Sequence, residues 1–176
     1  GALVTSGHRN PAWGTSDFTL IGLPDKANPG AWSELYEDKI ARAKIEADRY
    51  EKIAEGIRKA KAEALRNRYT LQVYEQTNNL QNYPVRLILA LNDRDRAKDE
   101  TARRAALETV AEVCDYFDVM RADLESVYSE IRFMQQPEGF ISDLNHHNHL
   151  ASKTNNSDWW YYYEIPMIRK VRAWMK

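Results

Sequence analysis

The chain has 176 residues and a formal net charge of -1 at pH 7, with 43% hydrophobic and 11% aromatic residues but only 7 glycines and 1 cysteine. This composition excludes a disordered chain and a disulfide framework, and the near-neutral charge gives no global attraction to nucleic acid or anionic lipid. The scarcity of glycine favours a helix-rich domain, and no apolar run reaches the roughly 18 residues that a membrane span needs.

The start of the chain differs from the rest, because Gly, Pro and Asn residues interrupt residues 1–30 at close intervals, as they do in turns. Only the segment 17–24 carries a short apolar run that could form a strand. We therefore predict two parts, an extended arm over 1–30 and a helical bundle domain over 31–176. Because position 1 is Gly and not Met, we also expect the chain to be a piece of a longer protein.

A first long helix is predicted over residues 31–66, with Asn67 at its end. Charged residues between the apolar positions make a solvated face. The basic residues from Arg58 to Arg68 are interleaved with glutamate and alanine, which indicates such a face rather than a nucleic-acid groove. The apolar or small positions recur at alternating steps of four and three residues, and they are Tyr36, Ile40, Ala43, Ala47, Tyr50, Ala54 and Ile57.

A second helix is predicted over about 69–92, but its middle is weak. Residues 78–84 combine turn-forming side chains with Pro84, which lacks a backbone donor, so we expect a kink or a break near Asn82. Residues 92–95 predict a polar turn.

Two further helices complete the pattern. The third begins after Asp99, whose side chain suits an N-cap, and continues to the stop signal at 136–139. Its apolar stripe includes Val110, Cys114 and Phe117, with Cys114 as a small buried hydrophobe. The fourth covers about 159–175, where Pro166 must bend or restart it. We therefore predict an all-α fold: an up-down-up bundle of three long helices plus a shorter C-terminal helix, with an extended N-terminal arm.

Three of the four histidines lie in one short segment, at His146, His147 and His149. With Asp143 they could form a two-histidine, one-carboxylate metal site, because helical spacing would place them on one face. The other interpretation is a turn in which the histidines hydrogen-bond to their neighbours. We favour the turn and predict no metal, because every ligand would come from a single short segment.

Five consecutive aromatic residues occupy 159–163 and would cover every face of a helix. One shallow groove cannot bury them all, so Trp159, Trp160 and Tyr161 are candidates to face a ligand or another protein surface. A protein interface is favoured over a sugar site, and the three histidines above join these residues as contact candidates. We predict no catalytic residue and no cofactor, because the chain has no Gly-rich phosphate loop, nucleophile elbow or His-Glu-x-x-His motif.

Four segments together resemble the C-terminal helical region of large glycoside hydrolases of Bacteroidetes, most of all β-N-acetylhexosaminidase-like enzymes. They are 74–87 (YEQTNNLQNYPVRL), 132–139 (RFMQQPEG), 145–151 (NHHNHLA) and 159–163 (WWYYY). The first of them also resembles the helical bundle of the α-glucuronidase family. The resemblance extends from about residue 20 to the end of the chain.

The resemblance implies a periplasmic or extracellular parent protein whose catalytic carboxylates lie in a separate barrel. A barrel needs about 250 residues, so no catalytic residue carries over to this chain. The implied role is a non-catalytic accessory module, with the catalytic domain of the parent chain as its partner and a glycan as a second candidate partner. The alternative is a stand-alone helical hairpin that binds another protein, and a third hypothesis is a small metalloprotein that uses the histidine segment.

Overall fold

The computed structural model describes residues 3–4, 20–131 and 164–176. The chain is an all-α bundle with three long helices and a shorter C-terminal helix, which confirms the predicted fold class. A two-residue antiparallel ladder precedes the helices and pairs Leu3 with Ile21 and Val4 with Leu20. In chain order the elements are β1 Leu3–Val4, β2 Leu20–Ile21, α1 Ala31–Leu35, α2 Glu37–Glu63, α3 Arg68–Arg96, α4 Glu100–Ser129 and α5 Glu164–Met175.

Helix α3 is the middle of the bundle and has extensive contacts with both α2 and α4. The short connections 64–67 and 97–99 reverse the chain twice, which gives the up-down-up order. Helix α5 packs on α4, and the short α1 packs on α3. Apolar side chains from all of these elements form one core, and its least exposed members are Ile21, Leu87, Leu91, Val110, Cys114, Phe117, Met120 and Val171.

The division into an arm over 1–30 and a bundle over 31–176 stays a prediction, and residues 1–2 and 5–19 lie outside the described residues. The described end of the arm lies against the bundle. Ile21 is fully buried in the core, and the indole Nε1 of Trp32 donates a hydrogen bond of 2.6 Å to the carbonyl of Gly22.

The helix predicted as continuous from residue 31 is broken at Tyr36, whose φ of -112° and ψ of 26° end α1 and begin α2. Two aromatic side chains near the break, those of Trp32 and Tyr36, contact the arm. Trp32 bonds to Gly22, and the Tyr36 ring lies 5.4 Å from the Trp32 ring with its hydroxyl accepting from the Gly22 amide at 3.5 Å. The break therefore separates α1 from α2, and α1 contacts α3.

The structure corrects two expectations for the second helix. No break occurs near Asn82, because α3 continues through Pro84, whereas the alternative of a kink stays a prediction. The turn predicted over 92–95 is wrong, because α3 ends at Arg96. Burial outweighs the local preferences: an internal proline costs about 3 kcal/mol, whereas each fully buried large apolar side chain contributes about 1.5–3 kcal/mol. The buried apolar side chains of α3 are Leu80, Tyr83, Leu87, Ile88, Ala90 and Leu91.

The predicted start of α4 is confirmed, since the Asp99 carboxylate accepts a hydrogen bond of 2.8 Å from the Ala102 amide. The helix ends at Ser129, before the predicted stop at 136–139, which lies outside the described residues.

Helix α5 begins at Glu164, so Pro166 lies in its first turn. The first amides of a helix have no intrahelical acceptor, so the missing N–H of proline removes no hydrogen bond there. Residues 159–163, predicted as the start of that helix, are not among those described.

Asn67 occupies the left-handed region, with φ 58° and ψ 27°, and forms the N-cap of α3. Because this conformation is unfavourable for a residue with an ordinary β-carbon, we expect Asn67→Ala to lower the free energy of unfolding by about 1 kcal/mol. Glycine carries no such penalty, so Asn67→Gly should stay within about 0.5 kcal/mol of the original chain. Urea unfolding of both variants measures the difference, and equal losses would contradict the backbone explanation.

Candidate functional site

The residues predicted from the sequence as contact candidates all lie outside the described residues. They are His146, His147, His149, Trp159, Trp160 and Tyr161. The metal hypothesis and the aromatic interface therefore stay predictions. Within the ranges that the structure describes, no group of three or more His, Cys, Asp or Glu side chains is arranged to hold a metal ion.

A buried polar contact joins the end of α3 to α1. Asp95 is only 2% exposed, and its Oδ2 accepts a hydrogen bond of 2.9 Å from the backbone amide of Ser33. The first amides of a helix lack intrahelical partners, and the N-cap of α1 is Gly30, at φ 89°, which has no side chain to supply one. Asp95 therefore caps α1 from a different helix.

Trp174, near the end of α5, joins the arm to the same end of α3. Its indole Nε1 donates a hydrogen bond of 2.9 Å to the carbonyl of Pro24. The Lys26 ammonium lies 5.5 Å from the centre of the indole ring, and the Arg94 guanidinium lies 5.9 Å from it. Cations at these distances are attracted by the ring electrons. The indole thus links three separate parts of the chain.

Arg172 on α5 bonds to the middle of α4. Its guanidinium donates to the Cys114 carbonyl at 3.2 Å, to Asp115 Oδ1 at 3.0 Å and to Asp118 Oδ2 at 2.6 Å. The hydrogen bond to Asp118 is the largest cause that raises the pKa of Arg172, and the bond to Asp115 adds to it. Both aspartates therefore serve an ion-pair network that positions α5.

The single cysteine, Cys114, is fully buried on α4, as its place on the apolar stripe predicted. Burial raises the pKa of its thiol to about 11. A nucleophilic cysteine needs the opposite setting, an exposed and electropositive one that lowers the pKa. The thiol therefore belongs to the hydrophobic core, and its setting does not suit a nucleophile.

This assignment predicts slow modification of the native thiol. At pH 8, a pKa of about 11 leaves about one thiol in a thousand ionised, against about a quarter for an unperturbed cysteine with a pKa of about 8.5. We expect Ellman's reagent to react with native Cys114 at least about a hundredfold more slowly than with the chain in guanidinium chloride. Similar rates in the two states would show that the thiol is accessible and activated.

Helix α3 also buries polar side chains, and one of them bonds to α2. Gln76, Asn78 and Asn82 are buried on α3, and the Asn78 amide donates a hydrogen bond of 3.2 Å to the Tyr50 carbonyl on α2. The sequence pattern predicts Asn78 and Asn82, but not Gln76, as turn formers. Their spacing was the signal that could have placed them on a helix, because Asn78 and Asn82 are four positions apart and share a face. A buried amide that bonds across two helices fixes their register.

The connection between α2 and α3 carries exposed basic residues around one apolar side chain. We call this surface the basic tip and define it as Arg58, Lys59, Leu65, Arg66 and Arg68. Leu65 is 97% exposed, the highest value among the exposed large apolar residues, and the basic side chains of the tip are exposed as well. The tip thus combines exposed positive charge with an exposed apolar side chain.

Comparisons of the chain with protein-family models, with curated proteins and with solved structures found no match. The resemblance to the helical region of glycoside hydrolases therefore stays a prediction that rests on the sequence segments quoted above. Among the helices of the described ranges, none combines the length and the apolar character that a bilayer crossing requires.

Proposed function

We propose that the chain is a non-catalytic helical accessory module of a periplasmic or extracellular glycoside hydrolase, and that it packs against the catalytic domain of its parent chain. The observation that carries the proposal is the use of the reactive side chains. Asp95, Arg172 and Cys114 each have a partner or a burial that serves the packing of the helices. All three side chains therefore stabilise the packing of the bundle, as a structural module requires.

The carboxylates support this proposal because their settings do not suit acid–base catalysis of glycoside hydrolysis. A general acid in such an enzyme needs a raised pKa, and its partner carboxylate must face it across a cleft. Asp115 and Asp118 instead share one guanidinium at the surface, with side chains 77% and 55% exposed. Asp95 is buried against a backbone amide. Each of these carboxylates contributes to structure.

The longest segment of the resemblance, 74–87, also has a structural role. It forms the central part of α3, where Leu80, Tyr83 and Leu87 are buried in the core and Asn78 bonds to α2. A sequence pattern shared over such a segment reflects the packing of a bundle. It therefore supports an accessory helical region, and no catalytic group is transferred with it.

Enzyme assays test the non-catalytic part of the proposal. We expect the purified chain to release no 4-nitrophenol from 4-nitrophenyl N-acetyl-β-glucosaminide above the rate of buffer. Hydrolysis that Asp115→Asn or Asp118→Asn abolishes would contradict it. The reading frame around the coding sequence tests the other part. A barrel-coding stretch directly upstream is the expected result, and a start codon immediately before residue 1 would overturn it.

A stand-alone interaction protein remains the second candidate, because α2 and α3 form a long antiparallel hairpin whose connection exposes Leu65. Analytical ultracentrifugation separates the two candidates. The accessory module should sediment as a monomer when it is isolated from its parent. A tight dimer in which Trp159 and Trp160 become protected from quenching would favour the interaction protein.

A further inference from the structure

We propose that the basic tip binds the surface of an anionic lipid membrane, with Leu65 entering the headgroup region and the surrounding cations contacting lipid phosphates and carboxylates. This inference goes beyond the proposed function and does not depend on it. It rests on the exposure, charge and composition of the connection between α2 and α3.

The charge of this connection departs from that of the whole chain. Five of the eleven residues from 58 to 68 are basic and one is acidic, in a chain whose formal net charge is -1. Lys61 pairs with Glu75 of α3. Among the described residues, no carboxylate lies within ion-pair distance of Arg58, Lys59 or Arg66. These cations are therefore available to an external anionic surface.

Helix electrostatics do not explain this charge. Cations in the last turn of a helix are stabilising, but the basic residue in the last turn of α2 is Lys61, and Arg58 and Lys59 lie before that turn. Arg66 and Arg68 lie instead at the start of α3, where the helix dipole disfavours positive charge, and α3 has no acidic residue in its first turn. Arg68 has a structural role, since its Nε donates a hydrogen bond of 3.2 Å to the Ala64 carbonyl. The Arg66 guanidinium makes no such hydrogen bond or ion pair within the described part of the chain.

The composition of the tip favours a lipid surface over the other anionic partners. Protein interfaces are anchored by buried aromatic side chains as well as by arginine, and single-stranded nucleic acid is bound by aromatic side chains that stack on bases. The tip has arginines but no aromatic side chain, because its one large non-basic side chain is aliphatic and 97% exposed. A leucine surrounded by long cationic side chains suits the membrane interface, where the apolar group inserts and the cations stay in the headgroup layer.

Vesicle sedimentation tests the proposal with the intact chain. We expect binding to vesicles of phosphatidylcholine with about 30% phosphatidylserine at about 50 mM salt, weaker binding at about 500 mM salt, and none to pure phosphatidylcholine. Each cation near an anionic surface contributes about a fivefold gain in partitioning. The double variant Lys59→Glu/Arg66→Glu should therefore bind at least about 25-fold more weakly.

A matched control separates the tip from overall charge. Arg42→Glu/Lys44→Glu changes the net charge by the same amount on exposed positions of α2 far from the tip, and it should bind as the original chain does. Leu65→Asn removes the apolar group without changing charge and should weaken binding about five- to tenfold. Circular dichroism confirms that each variant is folded.

Three results would overturn the proposal: no sedimentation with anionic vesicles at low salt, an equal loss in the control variant, or binding that Leu65→Asn leaves unchanged. Heparin and duplex DNA serve as competing polyanions. If either one binds the chain more tightly than the vesicles do and with no dependence on Leu65, the tip is a general anion-binding surface and the lipid assignment is wrong.

Discussion

Replacing Phe117 by alanine is expected to lower the free energy of unfolding by about 3–5 kcal/mol, the range for a large aromatic side chain removed from a packed core. Phe117 is 1% exposed on α4, and its ring centre lies 5.0 Å from that of Tyr83 on α3. The two rings meet at 50°, so the pair also gains from the tilted aromatic contact. Alanine would leave a cavity between the two helices with the most extensive contacts.

Val119 provides the matched control, because it lies two positions further along the same helix but is 59% exposed. Val119→Ala should change the free energy of unfolding by less than about 0.5 kcal/mol, since alanine favours the helix and little burial is lost. Urea unfolding followed by circular dichroism gives both values. Losses of similar size in the two variants would show that Phe117 does not lie in the core.

Phe117 also shows what the sequence can predict. Its position follows from a spacing of three and four residues that includes Val110 and Cys114, and the structure buries all three. This periodicity depends only on the geometry of a single helix, so it can be recognised in the sequence when the partner helices are not known. The same reasoning correctly gave the three long helices, the Asp99 cap and the all-α fold class.

The predictions failed where a distant part of the chain decides local structure. Residues 92–95 have the composition of a turn, but α1 covers the end of α3, and Asn92 and Asp95 are buried in helix. The same applies to Pro84, since packing on both sides of α3 keeps that segment helical. Local propensity is a weak guide for a central helix, because burial on two faces outweighs it.

The contacts around Asp95 and Trp174 could not have been predicted for a related reason. The residues that form the Asp95–Ser33 bond are 62 positions apart, and those of the Trp174–Pro24 bond are 150 positions apart. No spacing rule connects such pairs. The basic tip was visible as a charge pattern, but the exposure of Leu65 required the structure. The histidine and aromatic candidates stay predictions, as they lie outside the described residues.

The second large effect is expected at Asp95. We expect Asp95→Ala to lower the free energy of unfolding by about 2–3 kcal/mol, because it removes a charged acceptor and leaves the buried amide of Ser33 without a partner. For a chain of this size the loss corresponds to about 4–12 °C in Tm. Asp95→Asn retains an acceptor oxygen of similar shape, so its loss should be about half as large.

The opposite result has a physical basis as well, which makes the experiment informative. Burying a carboxylate costs desolvation free energy, and replacing a buried charge by an apolar group is sometimes neutral or stabilising. Hydrogen exchange at the Ser33 amide separates the two cases. If Asp95 caps α1, exchange at Ser33 accelerates in Asp95→Ala and stays slow in Asp93→Ala, which alters an exposed neighbour on the same helix. Unchanged exchange together with unchanged stability would show that packing of Trp32 alone holds α1 in place.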